Sequence, residues 1–239
     1  HDLFEGVYAR TALVTDVEVV DDYPASVLAH ARRQHRWVRG DWQLVWWLFP
    51  VVPTRSGLKR NRLPLISRWK IFDNLRRSLL APATVALLLL AWTMLAGSPA
   101  IWTAAILAGL AFSLYPLLLE AAFGPKPQQP WRVFLRLTSQ DVKTVLAQVS
   151  LQLTFLANQA YERVHAIVVT LVRLALIKRR LLQWETAAAS AARSGGLGKA
   201  AGARVFLAEM IASPLVALVG LILVAVVRPG ALPEALPVR

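Results

Sequence analysis

The sequence predicts a mainly α-helical protein: a helical membrane region with interface helices, preceded by the C-terminal edge of a globular α/β domain. Three observations predict it. Of 239 residues, 56% are hydrophobic and mean hydropathy is +0.47, too apolar for an ordinary soluble domain. Net charge is +13, yet the long apolar runs are almost uncharged, so the cations lie between them, as when basic segments face anionic lipid. Cysteine is absent, which excludes disulfides and thiolate metal sites. The four histidines, His1, His30, His35 and His165, lack zinc-ligand spacing, so no metal site is expected among the visible residues. The chain opens on His without a signal-peptide pattern and reads as an internal fragment.

Residues 1–53 read as the edge of the globular domain. "DLFEGVYARTA" suits a short helix with Leu3, Val7 and Leu13 available for burial. "TDVEVVDDYP" is a β-prone run closed by a turn at Asp22-Tyr23-Pro24. Ser26 is placed to cap a helix running to about Phe49, along which Leu28, Trp37, Leu44 and Leu48 recur near multiples of 3.6. Pro50 and Pro53 stop it.

Residues 54–78 carry eight Lys/Arg against one acid, Asp73, with Trp69, Ile71 and Phe72 interleaved: a juxtamembrane collar. Residues 79–123 read as a transmembrane hairpin, with spans 79–96 and 101–123 around the turn Gly97-Ser98-Pro99. The positive-inside rule places the collar, and Lys126, Arg132 and Arg136 after the hairpin, on the cytoplasmic side, with the uncharged turn outside. Residues 124–189 alternate polar and apolar. Leu146, Val149, Leu153, Leu156 and Ala160 share a helical face, which favours cytoplasmic interface helices; the alternative is an extra polar-faced span, with 167–177 its best candidate. A Gly/Ala/Ser linker at 190–204 leads to a third span, 205–227, and an external tail, 228–239, that includes Arg228. Residues 1–78 and 124–204 are thus expected in the cytoplasm of a multi-pass membrane protein.

Two motifs point to chemistry. In "RQHRW", Arg33, Arg36 and Trp37 fall at i, i+3 and i+4, on one helical face. Two guanidiniums beside an indole suit an anionic ligand with a flat apolar surface, because arginine binds pyrophosphate bidentately and an indole covers the C–H face of a sugar. The plainer reading is a lipid-anchoring basic helix. About thirty residues upstream, "HDLFEG" offers Asp2 and Glu5, either of which could take a proton from a sugar hydroxyl attacking a glycosyl donor; the plainer reading is a helix cap. His35 is expected to face solvent, and Trp42, Trp46 and Trp47 to pack. Asp16, Glu18, Asp21 and Asp22 are read as strand and turn rather than a metal site. Glu120 is expected to snorkel toward the interface, and "GGLGK" near Gly195 to be linker.

The order of an acidic motif, an R-W helix, interface helices and spans resembles processive inverting glycosyltransferases of the cellulose and chitin synthase kind, with Arg33 where Gln is usual. The R-x-x-R-W variant, "HDLFEG", "RGDWQ", "NRLPLISRWKIFDNLRRSL" and "LLQWETAAA" are similar to cyclic β-1,2-glucan synthases of glycosyltransferase family 84, most closely from His1 to Leu80. The resemblance implies the edge of a GT-A-like domain in a bacterial inner-membrane enzyme that polymerises glucose from UDP-glucose. It implies Asp2 as catalytic base, with Glu5 in reserve. Arg33, Arg36 and Trp37 would meet diphosphate and acceptor sugar. It also implies a divalent cation (Mg2+ or Mn2+) whose ligands lie upstream, so the fragment alone is expected to be inactive. Partners expected are UDP-glucose, the growing glucan, anionic lipid and the remainder of the synthase chain, with no nucleic acid. The rival is a non-enzymatic membrane module, a transporter half or lipid-binding scaffold; a synthase of another β-linkage is a further alternative.

Overall fold

The computed structural model describes residues 2–9, 12, 14–20, 26–54, 56–177, 204, 206–208 and 210–235. They are mainly helical: α1 (Asp2–Tyr8), α2 (Val27–Gln43), α3 (Leu65–Ser78), α4 (Leu80–Thr93), α5 (Pro99–Leu110), α6 (Leu114–Phe123), α7 (Trp131–Thr154), α8 (Leu156–Val172), α9 (Ala212–Val227) and α10 (Leu232–Ala235). The described strands form one antiparallel hairpin, β1 (Val51–Thr54) and β2 (Gly57–Arg60), with Val52 opposite Lys59. The chain divides into two compact units, 1–82 with 159–211 and 83–158 with 212–239.

In the first unit, Ser26 caps α2 as expected, its hydroxyl accepting from the Ala29 amide at 3.2 Å. The α-helix ends at Gln43 and tightens into a 3-10 turn, Val45–Leu48, rather than continuing to Phe49. α3 buries Ser67, Ile71, Leu75 and Ser78, a 4-4-3 spacing that gives it one inward face. Leu44, Leu63, Ile71 and Leu75 form a core against which Leu3, Phe4, Val7, Trp42 and Trp47 pack. A second core joins Val38 to Ala166 and Ile167, with Trp42 and Leu171 against it.

Polar contacts bind the same surfaces. Trp42 Nε1 donates to Ser78 Oγ at 2.9 Å, and that hydroxyl donates to the Leu75 carbonyl at 2.6 Å. Asn61 Nδ2 donates to the carbonyls of Trp47 (2.7 Å) and Phe49 (2.9 Å), tying the end of the 3-10 turn to the chain leaving β2. Arg68 Nε donates to the Leu48 carbonyl at 3.0 Å. Arg68 therefore belongs to this packing, and Arg76 and Arg77 pair with Asp73, Arg76 at 2.6 Å. The cations of the basic collar are not uniformly turned to lipid.

Two sequence expectations differ here. The β-prone run 15–20 lies in neither helix nor strand, and Val19 and Val20 are 83% and 90% exposed. β-branched residues favour a strand only where a neighbouring strand completes the ladder, and none lies beside them among the described residues. The turn at Asp22-Tyr23-Pro24 and the linker at 190–203 lie outside the described residues.

In the second unit, α4 and α5 meet across the turn at Gly97, whose φ of +94° is a left-handed conformation suited to glycine. Trp92 Nε1 donates to Thr103 Oγ1 at 2.9 Å in a buried contact, and Thr103 Oγ1 donates to the Pro99 carbonyl. Gly220 of α9 lies against Leu89, where an added Cβ would sit 3.0 Å from Leu89 Cδ2. The Arg228 guanidinium, just past α9, donates to the carbonyls of Leu95 and Gly97, both at 3.2 Å. The residues that charge patterning assigns to one side of a membrane thus meet at one end of the helices.

The run read as the single span 101–123 is two helices, α5 and α6, bent by 73° at residues 111–113. Tyr115 Oη bridges the break to the Ala108 carbonyl at 2.7 Å. Among the described residues, one helix, Phe206–Val227, is long and apolar enough to cross a membrane. The number is up to three if α3 with α4, and α5 with α6, each count as one broken span. Along α7 and α8, Val149 and Leu153 are half-buried and Leu156 and Ala160 buried, whereas Leu146 is exposed and the helix breaks at Phe155. Hydroxyls of Ser139, Thr144, Ser150 and Thr154 donate to carbonyls of their own preceding turn, which satisfies them on the exposed side of α7.

Leu75, 4% exposed at the centre of the first core, gives the sharpest stability test. Leu75→Ala is expected to destabilise the first unit by about 2–5 kcal/mol, measured as a shift in the denaturant midpoint of the intact protein in detergent. A shift below about 0.5 kcal/mol would contradict this core.

Candidate functional site

The candidate site is built on α2. Its back face carries Val38 and Trp42 against α8 and α3, so the face with Arg33 and Trp37 is turned away from that packing. Trp37 is 47% exposed, comparable with Trp46 at 42% and less than Trp69 at 60%. The Arg33 guanidinium lies 4.5 Å from the centre of the Trp37 ring, a cation–π contact spanning one turn. Arg33 therefore covers one face of the indole. Arg36 is half-buried on the adjoining turn.

α1 carries both candidate bases. Asp2 opens the helix, its side chain outside the described atoms, and Glu5 is exposed one turn on. The helix is seated by aromatic contacts: Phe4 meets Trp47 edge-on at 4.5 Å, Tyr8 meets Trp47 at 6.3 Å, and Phe4 lies 5.0 Å from Tyr8. These contacts and the Leu44 cluster place α1 at the C-terminal end of α2. Leu44 lies seven positions beyond Trp37, almost the same helical face and about 10 Å along the axis. The structure thus puts the acidic motif and the Arg–Trp motif in one compact unit and seats the first beyond the end of the helix that bears the second.

The surroundings of α2 contain groups that sequence reasoning passed over. His35, expected to face solvent, hydrogen-bonds through Nε2 to Nδ1 of His165 at 3.0 Å, with the ring centres 5.2 Å apart. Tyr161 stacks on His165 at 6.0 Å. Loss of water, then the neighbouring His165 and Arg39, push His35 down to about 4. No signal in the sequence connects two histidines 130 positions apart on helices of different character. Asp41, in "RGDWQ", accepts from Asn74 Nδ2 at 3.2 Å. Burial raises its carboxyl above the usual range, opposed by that hydrogen bond and by Arg77. Burial also lowers Arg39, aided by Arg173, and lowers Arg163, whose guanidinium reaches the Arg77 carbonyl at 3.4 Å. Trp47 packs, as expected of it, and Trp46 meets Phe49 at 6.0 Å. Asp16 and Glu18 are exposed, and Asp21 and Asp22 lie outside the described residues. No group of three or more His, Asp or Glu able to hold a metal ion occurs among the described residues.

Such a surface suits a ligand with a negative group and a flat apolar face. The guanidiniums supply fixed positive charge, the exposed indole an apolar surface, and α1 a carboxylate within the same unit.

No family model matches the chain. Over 232 residues, 96% of its length, it is 36% identical to the cyclic β-(1,2)-glucan synthase NdvB of Rhizobium meliloti (strain 1021), and it spans 8% of that relative's length. The match runs through the Arg–Trp helix, the collar and the apolar segments alike.

Trp47 is the seat of α1, so Trp47→Ala is expected to raise amide hydrogen exchange across residues 2–8 by at least about tenfold while leaving α2 protected. Unchanged exchange in α1 would show that the aromatic contacts do not hold it.

Proposed function

Because the chain is cyclic glucan synthase-like along nearly all of its length, we propose that it is the acceptor-side segment of a membrane-bound inverting glycosyltransferase that builds β-1,2-glucan from UDP-glucose. The observation that carries this reading is the similarity to a cyclic β-(1,2)-glucan synthase through the segment holding Arg33, Arg36 and Trp37. The exposed Trp37, with Arg33 over its ring, supports it as a sugar platform.

In this mechanism the Asp2 carboxylate takes the proton of an acceptor 2-hydroxyl. The oxygen attacks the anomeric carbon of the donor glucose, and the bond to the diphosphate breaks with its electron pair leaving on UDP. Attack from the face opposite UDP inverts the configuration. Arg36, with Arg33, offsets charge building on the departing diphosphate, and Trp37 holds the acceptor ring. Glu5 is the reserve base, one turn along α1. A divalent cation, supplied by residues outside this chain, would neutralise the donor diphosphate.

The same proposal places the protein in the bacterial inner membrane as a multi-pass chain. Leu58, Leu65, Ile66, Trp69 and Phe72 are exposed beside Lys59, Arg60, Arg62 and Lys70. Apolar side chains interleaved with cations suit the headgroup region of an anionic bilayer.

Two experiments test these statements. In the intact synthase polypeptide, Asp2→Asn is expected to lower glucose incorporation from UDP-glucose by at least about a hundredfold with UDP affinity nearly unchanged, and Trp37→Ala to weaken acceptor dependence more than donor dependence. Retained transfer in Asp2→Asn membranes removes Asp2 as base. This chain contributes no cysteine, so single cysteines at Ser56, Ser98 and Gln128, in a polypeptide whose other cysteines are replaced by serine, report sidedness: Ser98→Cys should react with an impermeant maleimide in intact spheroplasts, and the other two only after permeabilisation. Equal labelling at all three would refute the hairpin orientation.

A further inference from the structure

We infer that His165 is a positioning residue for Arg36 and Trp37, acting through its ring-to-ring hydrogen bond to His35, which sets the rotation of α2 against α8. This rests on the functional reading above. His35 lies between Arg33 and Arg36 in sequence but faces the other way: Trp37 is two positions on, some 200° around the helix. The contact of Val38 with Ala166 and Ile167 on that back face is apolar and non-directional. It holds α2 near α8 yet tolerates a small roll or slide. A hydrogen bond of 3.0 Å between two planar rings is directional and does not. Advancing α2 by one residue would turn Trp37 by about 100° toward the packed side. The stack of Tyr161 on His165 holds the partner ring in turn.

The bridge has a defined proton count. One neutral imidazole donates and the other accepts, so a single proton lies between Nε2 and Nδ1. A proton added to His35 so that both facing nitrogens carry hydrogen opposes two N–H groups and breaks the bond. The charged group set against the pair is Arg39 on α2, which itself faces Arg173 beyond α8. His35 stays neutral to about 4 when paired, against 6.5 when free. The free state therefore binds more protons between these values. Stabilisation of the pair is complete above pH 6.5 and falls as the pH drops from there toward about 4.

The test is glucose incorporation from UDP-glucose by membranes holding the intact synthase polypeptide, as wild type, His165→Ala, His165→Asn and His35→Gln. An Asn amide stands near the Nδ1 position and a Gln amide near Nε2, without titrating. His165→Ala is expected to lower kcat about tenfold or more, with KM for UDP-glucose within about twofold. His165→Asn should recover most of the loss, and both amide variants should flatten the acid limb between pH 6.5 and 4. Wild-type kcat in His165→Ala would overturn the inference, as would equal losses in the Ala and Asn variants with an unaltered acid limb. If His165→Ala does not accumulate, the acid limbs of the two amide variants decide alone: flattening supports the bridge and wild-type limbs overturn it. Wild-type membranes that incorporate no glucose overturn the functional reading itself, a result distinct from active wild type with unaffected variants.

Discussion

Trp42 is the side chain on which the first unit depends. Its ring packs against both cores, the one built from Leu44, Ile71 and Leu75 and the one joining Val38 to Ala166 and Ile167. Its N–H is satisfied by Ser78 at the end of α3. A large indole supplies most of the apolar area at such a junction, and its single donor adds the orientation that dispersion and burial lack. With Trp42 held between α3 and α8, the face of α2 that carries Arg33 and Trp37 is turned away from both cores.

Around that junction, polar groups replace solvent as partners. Asn61 binds the carbonyls of Trp47 and Phe49 beyond the 3-10 turn, Arg68 takes the Leu48 carbonyl, Asn74 meets Asp41, and His35 meets His165. Each of these links a group left unpaired by a helix end or by burial to a side chain distant in sequence, as buried polar groups require. The collar sequence thus serves two purposes. Asn74 and Ser78 fasten α3 to α2 and Arg68 fastens it to the 3-10 turn, while Lys59, Arg60, Arg62 and Lys70 stay outside. An amphipathic division of this kind lets one helix dock a soluble-type core and present cations and rings to an anionic surface.

The second unit follows the packing rules of apolar helices. Gly220 allows close approach to Leu89, Trp92 and Thr103 share a buried hydrogen bond, and Arg228 satisfies carbonyls left open at the turn of Gly97. These contacts need little hydrophobic contrast between neighbours, which is why helices apolar on nearly every side still find a definite partner.

Composition and periodicity by themselves determined the helical class, the cap at Ser26, the apolar segments and the distribution of charge between them, and the shared face of Arg33 and Trp37, because each arises from neighbours within one or two turns. The Arg–Trp pair and the acid of α1 were legible as motifs for the same reason. Only the tertiary structure decided that the run 15–20 stays out of any strand, that the segment 101–123 bends at residues 111–113, and that His35 turns to His165 rather than to water. Those outcomes depend on partners up to 130 positions away or on there being no neighbouring strand among the described residues. A hydrogen bond or a ladder has no local signature when only one of its two halves is in view.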